Sequence, residues 1–229
     1  METAPAAPDQ AKQYSPSRWL SLAELLLGAF IVIGYNVLKI LPNEVPILFV
    51  LGMVSLRLRD GGWAAMGLRR PDSWRMVFLI AFAAAAARIL LGELVVDPLT
   101  ALYWPPAVAP EGADSIAGDL GTALLWLGLV WTWAAFGEEI GYRGYLLTRA
   151  ADLGHRSPSA YWLGVLVVSV LFGIGHWYKG PSGIIDSGVA GLILGAAYML
   201  SGRNLWTAIL AHGFIDTFGV IVLFFGWDS

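Results

Sequence analysis

Two glutamates and an arginine, Glu138, Glu139 and Arg143, stand in the stretch FGEEIGYRG (136–144), inside an otherwise apolar segment. Ionisable side chains are expensive within a bilayer, so they face a cavity or one another. Glu139 and Arg143 are four residues apart with the acid first, the order that favours an ion pair on one helix face. Glu138 projects about 100° away from Glu139 and points elsewhere. Adjacent buried carboxylates repel, and one arginine neutralises only one of them. This pattern leaves one glutamate held and the other free to work. Gly137, Gly141 and Gly144 keep the surrounding helix surface bare, so a neighbouring helix or a substrate backbone can come close.

Two of the three histidines also fall in apolar segments. Phe172 and His176 are four apart in LFGIGHW, and His212 and Asp216 are four apart in LAHGFIDTFG. Singly, each has a plain structural reading: an ion pair that fixes packing, an imidazole at a span end, a buried His–Asp hydrogen bond. Jointly they suit hydrolysis, which needs a base to activate water and donors to hold an oxyanion. Glu and His supply both, and they also ligate zinc, although no HExxH spacing is present. Glu24, Arg88, Glu93 and Asp186 are further ionisable residues in apolar runs, while His155 in ADLGHRSPS reads as solvated.

These side chains have to be carried by membrane helices. The chain of 229 residues is 57 % hydrophobic and only 14 % charged, against about 25 % charge in soluble domains. Apolar runs near 19–41, 45–58, 74–96, 119–148, 160–178, 183–201 and 204–226 predict an all-α, polytopic transmembrane helix bundle of about seven spans. The short alternating segments of a transmembrane barrel are absent. The second run is short, begins with the breakers Pro42 and Pro46, and is expected to be re-entrant or tilted; the fourth exceeds one crossing and is expected to tilt, bend or project. Residues 1–17 read as a disordered tail, and 18–229 as one transmembrane domain. There are no cysteines, so disulfides and thiol chemistry are excluded. No basic, aromatic-interleaved stretch points to nucleic acid.

Orientation follows from Lys and Arg. With the N-terminus in the cytoplasm, Lys12, Arg18, Arg57, Arg59, Arg69, Arg70, Arg75, Arg149, Arg156 and Arg203 fall inside. Only Lys39 and Lys179 fall outside. The expected location is a bacterial inner (cell) membrane. Loop 97–118 lies on the outer side, carries no basic residue, and reads as a connection or a lid.

The three motifs, Glu138-Glu139-Ile140-Gly141-Tyr142-Arg143, then Phe172 to His176, then His212 to Asp216, resemble those of the CAAX-protease and bacteriocin-processing (CPBP, or Abi) family, related to the Ras-converting CAAX endopeptidases. The resemblance covers 119–226. Asp216 stands where the family often has Asn, and Tyr142 where it often has Phe. The resemblance implies an intramembrane endopeptidase acting on peptide or protein substrates that are prenylated or membrane-embedded. It implies that Glu138 and His176 activate water, that His212 and Asp216 stabilise the oxyanion, and that Glu139 and Arg143 support them. An ionised Asp216 cannot donate, so its part would run through His212. No cofactor is required on this reading; the zinc alternative would use Glu138, His176 and His212.

Two other functions fit parts of the pattern. A non-proteolytic immunity- or transport-type membrane protein would use the charges for structure or ion transit. A rhomboid-like serine protease would pair Ser182 of GPSG with His212. Depth raises a difficulty for the first reading. At 1.5 Å per residue, the expected spans put Glu138 about 15 Å, His176 about 24 Å and His212 about 12 Å from the cytoplasmic ends.

Overall fold

The computed structural model describes residues 17–227. The expected disordered tail, apart from Ser17, lies outside the described residues, as does Lys12. Seven long helices and no strand occur among the described residues. They are α1 (Arg18–Asn36), α2 (Glu44–Arg59), α3 (Trp74–Thr100), α4 (Leu120–Asp152), α5 (Pro158–Gly175), α6 (Gly180–Leu200) and α7 (Leu205–Phe225). All but α2 are long and apolar enough to cross a membrane. Helix α2 has 16 residues, and its two ends pair with opposite ends of α1: Asn43 Nδ2 donates to Tyr35 Oη, and Arg59 Nη2 to the Ser17 carbonyl.

Local chemistry sets the helix starts. Ser17, Asn43, Ser73, Asp119, Ser157 and Asn204 each accept a backbone N–H in the first turn, which satisfies donors a helix start leaves unpaired. Asp119 accepts from Thr122 N at 2.7 Å, and this bond holds its carboxyl below the usual range. Helix α6 lacks a side-chain cap and has Pro in its first turn.

The seven helices alternate in direction. One end of the bundle joins the start of α1, the α2–α3 loop, the α4–α5 loop and the α6–α7 loop: Ser21 donates to Asp152 at 2.7 Å, Arg69 to the Gly202 carbonyl, and Leu205 N to the Gly67 carbonyl. Arg18, Arg57, Arg59, Arg69, Arg70, Arg75, Arg149, Arg156 and Arg203 all belong to this arginine-rich end. The other end joins the loop after α3 to the start of α6, through Val108 N to the Lys179 carbonyl and Ser182 Oγ to the Pro105 carbonyl. Exposed aromatics girdle both ends, Trp19, Trp74 and Trp162 at the first and Tyr103, Trp177 and Trp227 at the second, as at the two interfaces of a bilayer.

Helix α4 is the axis of the assembly and runs 33 residues. Between its α-helical ends it is wound as π-helix over Val130–Glu138 and Ile140–Leu146, a form that marks functional sites. Its glycines admit neighbours closely. A Cβ added at Gly137 or Gly141 would lie 3.0 Å from Val45 or Leu48 of α2, and one at Gly144 would lie 2.7 Å from Met66 Sδ. With no hydrophobic drive between helices in lipid, such close packing does the associating.

Hydropathy ends the fourth span too early. Arg149 and Asp152 are buried polar residues of α4, not loop. Arg149 bridges Glu24 at 3.0 Å and Asp152 at 2.7 Å and also pairs with Asp60, while Arg156 reaches Asp152 at 2.5 Å and Asp60. Arg59 completes the cluster on Glu24 at 3.0 Å. Glu24 is therefore a packing residue. Arg88 and Asp186 pair with each other between α3 and α6, and Glu93 is exposed. His155 is exposed, 3.5 Å from Arg18.

Candidate functional site

Glu138 and His176 line one cavity of about 580 Å³. Its wall also includes Glu44 and Val45 of α2, Tyr142 of α4, Gly175 of α5, and Val108 and Glu111 from the loop after α3. That loop is thus a wall of the cavity, held against α6 by the two bonds described above. The expected depth mismatch shrinks from about 9 Å to about 6 Å once the helices are given their true lengths. Helix α4 continues to Asp152, so Glu138 lies about 21 Å from that end, and His176 about 27 Å along α5. Side chains lean toward the N-terminus of their helix, which tips Glu138 toward His176.

The two residues face the cavity in complementary states. His176 caps the end of α5, and its Nδ1 lies 2.9 Å from the Phe172 carbonyl. A carbonyl only accepts, so Nδ1 carries the hydrogen, and the neutral ring then keeps a lone pair on Nε2. Glu138 Oε2 is buried without a hydrogen-bond partner among the described residues. Gly175 makes the corner possible: a Cβ there would lie 2.7 Å from Tyr142 Oη.

The other four residues form a separate buried chain. Arg143 Nη1 donates to Glu139 Oε1 at 2.7 Å, the i,i+4 pair expected from the spacing, and Arg143 Nη2 donates to the Gly191 carbonyl at 3.1 Å. Glu139 is 0 % and Arg143 1 % exposed, so neither charge has solvent to fall back on. The same Glu139 oxygen accepts from His212 Nδ1 at 2.8 Å. His212 Nε2 lies 3.4 Å from Asp216 Oδ2, whose side chain stays 29 % exposed. Phe172 joins the two groups: Arg143 stacks over its ring at 4.3 Å, and the ring centroid is 4.8 Å from that of His176 and 5.9 Å from that of His212.

His212 reaches Glu139 because α7 starts deep. Leu205 packs on Gly144, about 12 Å inside the end of α4, so seven further residues bring His212 level with Glu139. The count from a common membrane surface missed this offset.

Glu44 escaped the sequence reading. It is 6 % exposed, and its Oε2, like those of Glu138 and Glu139, is buried without a hydrogen-bond partner among the described residues. The only signal was an acid directly after the cap Asn43, which reads as ordinary first-turn chemistry.

Two expected alternatives can be set against the geometry. Ser182 lies in the first turn of α6 and donates to the Pro105 carbonyl at 2.7 Å, whereas both nitrogens of His212 face carboxylates; they do not form a dyad. No group of three metal-ligating side chains is assembled among the described residues.

An apolar seven-helix bundle with charged groups enclosed at mid-depth defines an integral membrane protein with an internal polar site. Residues 120–218 match the family described as type II CAAX prenyl endopeptidase Rce1-like, so this part of the chain is similar to that family. The match spans all three motifs and bears out the resemblance drawn from them. No curated protein and no solved structure matches the chain.

Proposed function

We propose that the protein is an intramembrane endopeptidase of the glutamate type, in which Glu138 and His176 activate water. The observation that carries this reading is the shared cavity: a carboxylate oxygen without a partner and an imidazole with a free Nε2 lone pair on one wall. A water between them gives one proton toward His176 or Glu138 while its oxygen bonds to the scissile carbonyl carbon. The tetrahedral intermediate then collapses, the C–N bond breaks, and the proton passes to the departing amine. Products are a carboxylate and an amine.

His212 is proposed to stabilise the oxyanion. At 3.4 Å its contact with Asp216 is looser than a good hydrogen bond, so the Nε2–H can turn to a substrate oxygen. Asp216 supports the imidazole, which is how a carboxylate serves at a position where the family often has Asn. Glu139 and Arg143 are positioning residues. The reaction needs no metal in this scheme, and the protein sits in a bacterial inner membrane with its N-terminus in the cytoplasm.

The test uses purified protein in detergent with quenched transmembrane and prenylated peptides. Cleavage is lost in Glu138→Ala and His176→Ala and kept in Ser182→Ala and in chelator. Full activity in Glu138→Ala would sink the proposal and favour an immunity- or transport-type role. Loss in chelator restored by zinc would replace the metal-free scheme.

A further inference from the structure

We infer that the cavity is entered from the non-cytoplasmic side of the membrane, so that the substrate is an unfolded peptide segment exposed on that face, not a lipidated tail held in the cytosol. The inference rests on the peptidase reading above for what happens in the cavity, and on independent observations for its side.

The first observation is where the cavity opens. Its rim comes from three connections at one end of the bundle: Lys39 and Asn43 between α1 and α2, Val108 and Glu111 between α3 and α4, and Tyr178 between α5 and α6. Glu111, Lys39 and Tyr178 are exposed. No residue of the α2–α3, α4–α5 or α6–α7 loops lines it.

The second is that the opposite half is closed. Met66, Ile140, Leu146, Leu147 and Leu205 are each 0–1 % exposed and fill the space between Glu139 and the arginine-rich end. Beyond them, the ion cluster of Arg59, Arg149 and Arg156 with Glu24, Asp60 and Asp152 ties α1, α2 and α4 together. A peptide arriving from that end meets packed side chains.

The third is charge. Nine arginines lie at the closed end, against Lys39 and Lys179 at the open one. Lys and Arg in short loops mark the cytoplasmic face, and acidic residues weigh little in that rule. The closed end is therefore cytoplasmic and the open end is not. At about 580 Å³ the cavity admits a short extended stretch and not a folded domain, so the substrate is an exported peptide or the outer flank of another membrane protein.

The chain has no cysteine, so single-cysteine labelling needs no prior engineering. Glu111→Cys and Arg70→Cys, both at exposed positions, are treated in spheroplasts with a membrane-impermeant maleimide. Glu111→Cys should label at least tenfold faster than Arg70→Cys, which should label only after permeabilisation. The reverse pattern would overturn the inference, and it is read without any catalytic activity. In a second arm, oriented proteoliposomes receive quenched single-span reporter peptides with the cleavable stretch near one face or the other. Cleavage confined to the Glu111 face supports the inference; cleavage confined to the Arg70 face overturns it. If labelling is as expected but neither reporter is cut, the substrate half of the inference falls together with the peptidase reading, while the sidedness of the cavity stands.

Discussion

At the scale of single residues, the site divides into groups that stabilise the fold and groups that do not. Glu139 and Arg143 are fully buried and paired through Glu139 Oε1, which also takes His212 Nδ1, while Arg143 also reaches the Gly191 carbonyl and Glu139 Oε2 has no hydrogen-bond partner among the described residues. Removing one member of such a pair leaves an uncompensated charge, at a cost of about 3–5 kcal/mol. Arg143→Ala is accordingly expected to lower the thermal midpoint in detergent by roughly 10 °C, at 2–4 °C per kcal/mol for a chain of this size. Glu138 and Glu44 differ in having no ion-pair partner among the described residues. Each keeps a buried oxygen without a partner, an arrangement that costs stability and persists where it serves function. Glu138→Gln and Glu44→Gln should therefore hold or raise the thermal midpoint while turnover falls, Glu138→Gln by at least 100-fold. A midpoint lowered by Glu138→Gln would mean that this carboxylate is a structural anchor.

The residue scale is also where the sequence spoke most clearly. An i,i+4 acid–base pair needs only helix periodicity to be read, and Glu139 with Arg143 formed as the spacing required. Glu44 was illegible because its meaning depends on α2 packing beside α4 and α5, contacts made across more than 90 residues of chain. The cavity wall from Val108 to Glu111 was hidden for the same reason, since nothing local distinguishes a wall from a connection.

At the scale of elements, α4 governs the geometry. Hydropathy recovered its existence and its glycine face but stopped it at 148, because Arg149 and Asp152 look like loop residues until their partners in α1, the α2–α3 loop and the α4–α5 loop are known. The π-helical winding at the motif has no compositional signature. The corner at the end of α5 gives a sharp test. Gly175→Ala would drive a methyl group into the hydroxyl of Tyr142, whose ring is pinned edge-on to Phe172 at 5.1 Å. Overpacking of this kind costs about 1–3 kcal/mol and displaces His176, the next residue. Turnover is expected to fall about tenfold in Gly175→Ala. It should recover in the double variant with Tyr142→Phe, which removes the clashing oxygen and installs the residue often found in the family. Failure of that rescue would place the defect in the α5 backbone.

At the scale of the whole molecule, the chain is an asymmetric plug: a packed, arginine-rich half and a half that opens between three loops. Alternating hydrophobic runs and the placement of basic residues made this topology readable in outline. The cavity was not readable, because it arises from helices that start at different depths, α7 beginning about 12 Å inside the end of α4. The same offset brings His212 of α7 to Glu139 of α4. Leu205→Arg at the start of α7, a fully buried position packed on Gly144, should abolish accumulation of the folded protein, as judged by monodisperse elution in detergent.

The central claim is that Glu138 and His176 act as one unit on one water. A double-mutant cycle on peptide cleavage in detergent tests it most directly, using Glu138→Ala, His176→Ala and the combination. Groups that serve a single step are strongly non-additive. Each single variant is expected to lose nearly all activity over background, and the double variant to be no slower than the worse of the two. Independent, multiplying losses, or a single variant with near-native turnover, would contradict it.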